Sequence, residues 1–309
     1  MKDVHKHSNC SHKHNEYNSL ITGHSHAPNK YDLRFFSGIL LNVIFIFVEI
    51  YYGKISNSSA LLADALHNFS DVVGLFVSWG GVIIARTKAT KNLTFALKNA
   101  TIIASFINAV LLIIGVVYIF IESYKGYMLG EKAIPKDMIL VAFVGIIING
   151  LTALLFVFGA KNDINIKSAF LHMLSDALVS LGVVIAGAII IFTNFYAIDI
   201  IVSVVIGVVI FISGYGLFKE SLKLLFLGVP SNIKLKEVED FILNFQGVIS
   251  LHDLHIWALS TTQNSLTVHL KIENSYNNQN LIEILKNKFP LHHFTIQTEN
   301  NDEICNYKC

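Results

Sequence analysis

Six apolar segments, each about as long as a bilayer is thick, follow one another along most of the chain. They lie at 33–53, 59–85, 95–122, 137–160, 168–192 and 197–217. A helix needs roughly 20 apolar residues to cross a bilayer, where its backbone hydrogen bonds are all made within the segment. Of the 309 residues 53% are hydrophobic and only 15% are charged, more apolar sequence than a soluble chain of this length can bury. The sequence therefore predicts an α-helical polytopic membrane protein with six transmembrane helices.

Polar segments flank these helices on both sides. We predict a flexible, His-rich N-terminal tail at 1–32, the six-helix domain at 33–218, and a small C-terminal domain at 219–309 that begins near the break "LGVPSN". Within the last segment, residue patterns predict a helix at 234–246, strands at 250–259 and 265–273, a helix at 278–289 and a strand at 293–299. The order αββαβ is typical of a two-layer α+β domain with helices on one face of the sheet.

Lysine and arginine are concentrated in the two termini and in the loops on the same side of the predicted helices. Cytoplasmic loops carry such an excess, so both termini are predicted to be cytoplasmic. The short loops and the many Ile, Asn and Lys residues fit a chain embedded in the lipid of a bacterial cell (inner) membrane, with an organelle membrane as the alternative.

The net charge of +1 implies no nucleic-acid partner. Cys10, Cys305 and Cys309 do not suggest a secreted disulfide framework.

Ionisable residues interrupt two of the apolar segments. The second segment, "ALLADALHNFSDVVGL", carries Asp64, His67 and Asp71 at positions i, i+3 and i+7, which project from one helix face. The fifth segment, "FLHMLSDALVS", carries His172 and Asp176, again four residues apart. Each such group costs a few kcal/mol at membrane depth, so repeated His-x-x-x-Asp pairs indicate a functional site.

Brought together, the two pairs supply two imidazoles and two carboxylates, a set that suits a tetrahedral divalent ion, above all Zn²⁺. The two carboxylates also neutralise the charge of the ion, which offsets much of the cost of removing it from water. Asp64 is not predicted to be a ligand. We expect it either to orient His67 or to line the entry path.

Other functions compete with metal transport. A buried His or Asp can simply hydrogen-bond a neighbouring helix, and a membrane metal sensor could use the same site to detect the ion without moving it. An intramembrane zinc hydrolase would need an open coordination position and a general base, and no H-E-x-x-H run occurs. The absence of a G-x-x-x-x-G-K-[ST] run argues against a nucleotide-driven pump. We therefore predict a non-enzymatic transporter, with uptake left open as the opposite direction of flux.

From about residue 36 onward, the chain resembles the cation diffusion facilitator family, specifically its zinc-transporting branch. The resemblance is carried by the blocks "VEIYYGKISNSSALLADALHNFSDVVGL", "NIKSAFLHMLSDALVSLGVV" and "VISLHDLHIWAL". It implies a six-helix transporter with a cytoplasmic metal-binding domain that works as a homodimer and exports Zn²⁺, sometimes Cd²⁺ or Co²⁺, in exchange for protons. Manganese-type members have Asp where this chain has His67 and His172, which favours zinc.

The resemblance also assigns site residues. It places the transport site at His67, Asp71, His172 and Asp176, and cytoplasmic ligands at His252, His269 and Glu299. Cys305 and Cys309 resemble the paired C-terminal cysteines of some members, with the spacing Cys-x-x-x-Cys instead of Cys-x-x-Cys. Zinc bound in the cytoplasmic domain is expected to tighten the dimer and thereby to act as a sensor of cytosolic zinc.

Two departures from the family pattern concern the periphery. The fourth and fifth helices lack a His-rich loop between them, and the His-rich run "HSNCSHKH" lies in the N-terminal tail, where we expect metal capture by His7, Cys10, His12 and His14. The block "NLTFALKNATII" has Ala96, Asn99 and Thr101 where many relatives show Gly, Arg and Glu. A loop-side metal site is therefore not carried over.

Overall fold

The computed structural model describes residues 33–157, 164–273 and 275–299. Its first part is a bundle of six helices: α1 (Leu33–Ile55), α2 (Ser59–Ala85), α3 (Ala100–Leu129), α4 (Pro135–Val157), α5 (Ile164–Thr193) and α6 (Ala197–Leu225). Among the described residues, α2 to α6 are long and apolar enough to cross a membrane. α1 has 23 residues, a length that also matches a bilayer. The predicted polytopic helical fold is confirmed.

α3 and α6 differ most from their predicted bounds, while α1, α4 and α5 differ by up to four residues at the ends that the structure describes. α3 was expected to begin at residue 95 and begins at Ala100, because Ala96 has a φ of 57°, a left-handed conformation that interrupts a helix. α6 was expected to end at 217 and continues to Leu225. Its last two turns are amphipathic, with Ser221 buried and Lys223 Nζ 3.0 Å from Glu220 Oε2. Apolar content marks where a membrane segment ends, whereas a helix ends only where its hydrogen bonds do.

Asp199, in the first turn of α6, holds the N-terminus of α2. Its Oδ1 accepts hydrogen bonds from Ser58 Oγ at 2.7 Å and from the Ala60 backbone N–H at 3.1 Å, and its Oδ2 accepts one from the Ser59 N–H at 2.7 Å. Ser58 is also the N-cap of α2 and accepts from Leu61 N–H. A carboxylate from another helix thus satisfies N–H groups that the helix itself leaves unpaired.

The cytoplasmic domain has the predicted αββαβ order. Its elements are α7 (Leu235–Leu243), β1 (Val248–Ala258), β2 (Asn264–Ile272), α8 (Asn278–Lys288) and β3 (His293–Glu299). The sheet order is β1-β2-β3, with β1 antiparallel and β3 parallel to β2. The apolar core of the domain takes Val238 and Ile242 from α7, Leu281 and Leu285 from α8, and Leu266, Val268 and Leu270 from β2.

The loop between α2 and α3 and the first turn of α3 both contact the cytoplasmic domain. The Phe95 ring meets the His293 ring edge-on with centroids 5.5 Å apart, and the Thr261 backbone N–H donates to Thr101 Oγ1 at 3.1 Å. The loop therefore lies between the helix that carries His67 and the strand that ends in Glu299.

Candidate metal centre

Four side chains from α2 and α5 meet inside the helix bundle. His67 places Nδ1 3.6 Å from Asp71 Oδ2 and Nε2 3.5 Å from Asp176 Oδ1. His172 Nε2 lies 3.4 Å from Asp71 Oδ2 and 3.7 Å from Asp176 Oδ2. The repeated i, i+4 spacing puts each His above its Asp on one helix face, so packing the two faces together brings all four groups to one place.

These separations suit an ion held between the four groups. Ligand atoms of a tetrahedral zinc ion, each about 2.0–2.1 Å from it, lie about 3.3–3.4 Å from one another. The four separations run from 3.4 to 3.7 Å, longer than strong hydrogen bonds. The 3.4 Å between His172 Nε2 and Asp71 Oδ2 equals that edge length, whereas the two contacts of His67 use different ring nitrogens, of which a single ion takes one. Ligand atoms of His67, Asp71 and Asp176 fall within 4.8 Å of one another. His172 lies outside this group of three, with its ring centroid 6.3 Å from that of His67.

The four side chains are unequally exposed. Asp176 is only 2% exposed, whereas His67, Asp71 and His172 are 20%, 27% and 28% exposed. In α2, Asp71 lies one turn closer than His67 to the end of the helix that the charge pattern predicts to be cytoplasmic. In α5, His172 lies one turn closer than Asp176 to the same side of the membrane. The site is thus most open toward that end.

Asp64 lies one turn away from His67 and is fully buried. Its Oδ2 accepts a hydrogen bond from Ser180 Oγ on α5 at 2.7 Å, and its carboxylate is close enough to His67 to act on it electrostatically. The direct contact is thus a link between the two helices that carry the four groups. Ser180 was not singled out from the sequence, because a serine in an apolar helix gives no signal by itself.

Glu49 is a buried ionisable residue that the sequence reasoning passed over. It lies in α1 with no exposed surface, and its Oε2 accepts a hydrogen bond from Asn68 Nδ2, next to His67, at 3.0 Å. A carboxylate within an apolar segment was the available signal, of the same kind that identified Asp71 and Asp176.

A second group of potential ligands lies on the cytoplasmic sheet. His252 and His269 are paired across β1 and β2, and Glu299 ends β3 on the other side of β2. Glu299 Oε1 is 3.1 Å from His269 Nδ1 and 3.4 Å from His252 Nε2. Their ligand atoms all lie within 4.8 Å of one another, so the three predicted residues could hold one metal ion.

Asp253 adds a carboxylate that was not predicted. The β1 ladder is irregular between His252 and His255, and Asp253 has a φ of 55° there. Its Oδ2 lies 3.7 Å from His269 Nε2, and its Oδ1 lies 2.8 Å from His255 Nε2. Simple alternation along a strand could not place it, because the bulge changes which way the side chain points.

The remaining predicted ligands lie outside the described residues. These are His7, Cys10, His12 and His14 in the N-terminal tail, and Cys305 and Cys309 at the C-terminus.

Family models match nearly all of the described chain. Residues 35–226 match the cation efflux transmembrane domain, and residues 230–301 match the cytoplasmic domain of cation efflux proteins. A solved structure of the metal-bound C-terminal domain of the CzcD transporter from Cupriavidus metallidurans is 44% identical and covers 22% of this chain and 99% of that chain, with a TM-score of 0.20.

Full-length relatives agree with the family models. The cation efflux system protein CzcD of Alcaligenes sp. is 37% identical over 286 residues, which cover 90% of each chain. A cadmium, cobalt and zinc/H⁺-K⁺ antiporter of Bacillus subtilis is 30% identical over 285 residues, 90% of this chain and 92% of the relative. This multi-pass membrane protein therefore belongs to the cation efflux, or cation diffusion facilitator, family of divalent metal transporters.

Proposed function

We propose that the protein exports Zn²⁺ from the cytoplasm in exchange for protons, through the site formed by His67, Asp71, His172 and Asp176. The same ligands accept Cd²⁺ and Co²⁺, so these ions are expected as further substrates. The name of the Bacillus relative, which includes cadmium, cobalt, zinc and H⁺, supports this range.

The observation that carries this proposal is the convergence of two imidazoles and two carboxylates at 3.4–3.7 Å between two membrane helices. Each of the two imidazoles lies beside both aspartates. A divalent cation supplies the positive charge that two carboxylates in a low-dielectric site require.

Protons and metal compete for the same atoms. A ligand coordinates only when deprotonated, so binding of Zn²⁺ displaces protons from the imidazoles and carboxylates. A pH difference between the two sides therefore biases the exchange. Rocking of α2 and α5 would then present the site to the other side, where protons rebind and release the ion.

The surroundings complete the proposal. We place the chain in a bacterial inner membrane with both termini cytoplasmic, with residues 1–32 as a metal-collecting tail and 219–309 as a regulatory domain. The matched cytoplasmic-domain family is named for dimerisation, which supports a homodimer. Zinc held by His252, His269 and Glu299 would tighten that dimer when cytosolic zinc is high.

Flux measurements test the proposal directly. Purified protein in liposomes, with an imposed pH difference and a zinc-sensitive dye inside, is expected to move Zn²⁺ opposite to the proton gradient. An ionophore that collapses the gradient should stop net movement. Stoichiometric zinc binding without any flux would overturn export and would favour the metal-sensor alternative.

The cytoplasmic site gives a separate expected result. Glu299→Gln lowers the zinc affinity of the cytoplasmic domain by about 10- to 100-fold, because Glu299 Oε1 approaches both His269 and His252 and a neutral amide is a much weaker ligand. Equilibrium zinc titration of the solubilised full chain measures this as loss of one class of sites, while the membrane site is retained.

Glu273→Gln is the matched control, since this exposed glutamate follows β2 directly. It should leave both classes of sites intact. Unchanged zinc affinity and stoichiometry in Glu299→Gln would remove Glu299 from the ligand set.

A further inference from the structure

Glu49 is the buried carboxyl group of α1, and it has an unusual environment. It has no exposed surface, and its Oε2 accepts one hydrogen bond from Asn68. Among the described residues, Oε1 has no hydrogen-bond partner. A carboxylate with one neutral donor in a membrane interior is poorly stabilised as an anion.

The charges around Glu49 add to this effect. α1 packs against α2 and α4. From α2, Asp64 acts on Glu49 electrostatically, and from α5, Asp176 does so as well. α4 has no ionisable residue between Asp137 and Val157. None of the described residues provides Glu49 with a cationic partner. Its burial, its single neutral donor and the like charges nearby all disfavour the ionised form of Glu49 while the metal site is empty.

We propose that Glu49 carries an exchangeable proton for transport, on a group that is not itself a metal ligand, and loses this proton when a divalent ion binds between α2 and α5. The inference rests on the proposed proton-coupled export and assigns part of the exchanged charge to α1. Asn68, which donates to Glu49, directly follows His67, so the proton site is joined to the metal site through adjacent residues of α2.

The charge balance accounts for the coupling. A divalent ion raises the local charge by two, which favours ionisation of any nearby acid. The O–H bond of the Glu49 carboxyl breaks, its electron pair stays on the carboxylate and the proton leaves to water. When the ion departs, the carboxylate is again without a cation and takes up a proton. The proton on Glu49 thus alternates with the metal ion although the two occupy different atoms, in addition to the protons that compete with the ion for its ligands.

Proton counting tests the proposal on the full-length protein. Zinc binding is measured by calorimetry in two buffers of different ionisation enthalpy, which yields the number of protons released per ion. Glu49→Gln keeps the size of the side chain and an acceptor for Asn68 but cannot lose a proton. We expect this variant to bind zinc and to release about one proton fewer per ion than wild type, with a correspondingly shallower pH dependence of affinity.

Glu122→Gln is the matched control, because Glu122 is a glutamate of a membrane helix that contacts Lys125. We expect this variant to release as many protons per zinc ion as wild type. Release of the wild-type number by Glu49→Gln would overturn the inference. Wild-type protein that binds zinc without releasing protons would instead overturn proton exchange itself, so the two failures are distinct.

Infrared difference spectra provide an independent measurement if Glu49→Gln does not bind zinc. In wild type, zinc should remove the band of a protonated buried carboxyl group, and in Glu49→Asp this band should be shifted in frequency. A spectrum in which zinc removes no such band, or in which Glu49→Asp leaves it unshifted, would show that Glu49 does not carry the proton.

Discussion

Asp176→Ala abolishes proton-driven zinc flux in liposomes and lowers the zinc affinity of the membrane site by about 100-fold or more. Asp176 is the most buried of the four converging residues, and it approaches both His67 and His172. Loss of a residue that merely orients a ligand already costs about 10- to 100-fold in affinity, so loss of a ligand should cost at least as much. The variant also leaves one carboxylate to balance a divalent ion.

The measurement compares initial rates of flux with equilibrium zinc binding in the same preparation. Ser175→Ala is the control, because the hydroxyl group of this exposed neighbour donates to the Leu171 carbonyl of its own helix, and the variant should transport normally. Transport by Asp176→Ala at half the wild-type rate or more would contradict the four-residue site.

Asp199→Ala destabilises the helix bundle by about 3 kcal/mol or more, the second large effect that we expect. The substitution removes the acceptor of three hydrogen bonds, from Ser58 Oγ and from the backbone N–H groups of Ser59 and Ala60. Each hydrogen bond to a charged group contributes about 1.5–3 kcal/mol, and buried donors left without a partner add a penalty. The start of α2 should then fray, and α2 carries half of the metal site.

Thermal unfolding in detergent, followed by circular dichroism, measures this loss. Asp137→Ala is the matched control, because Asp137 is likewise an acidic residue in the first turn of a membrane helix. We expect the control to unfold close to the wild-type temperature. Equal melting temperatures for Asp199→Ala and wild type would mean that α2 does not depend on this anchor.

Local patterns predicted much of the fold and of the candidate site. α2 begins and ends where expected, since its apolar run is flanked by the capping Ser58 and by Arg86. β3 also has its predicted bounds, because alternation is preserved along it. The metal-ligand candidates were found because an ionisable group in an apolar segment is costly enough to demand a reason.

What the sequence did not reveal depends on which segments meet in space. Asp199 and Ser58 are 141 residues apart, and Asp64 and Ser180 are 116 apart, so nothing local identifies either pair. Asp253 required knowledge of a bulge in β1. Glu49 could have been noticed from its position, but its contact with Asn68 on α2 could not.

The contacts of the α2–α3 loop and the first turn of α3 with the cytoplasmic domain limit how strongly the two candidate metal clusters can influence each other by this route. One edge-on aromatic pair and one hydrogen bond connect Phe95 and Thr101 to His293 and Thr261. Together such contacts are worth about 2 kcal/mol. Energetic coupling between two sites is reciprocal. Through these contacts, zinc binding at Glu299 can therefore change the equilibrium between two tilts of α2 by a factor on the order of 30, and a tilt of α2 can change the zinc affinity at Glu299 by the same factor. Under the proposed regulation, coupling of that size would adjust the rate of export with cytosolic zinc, instead of switching it on and off.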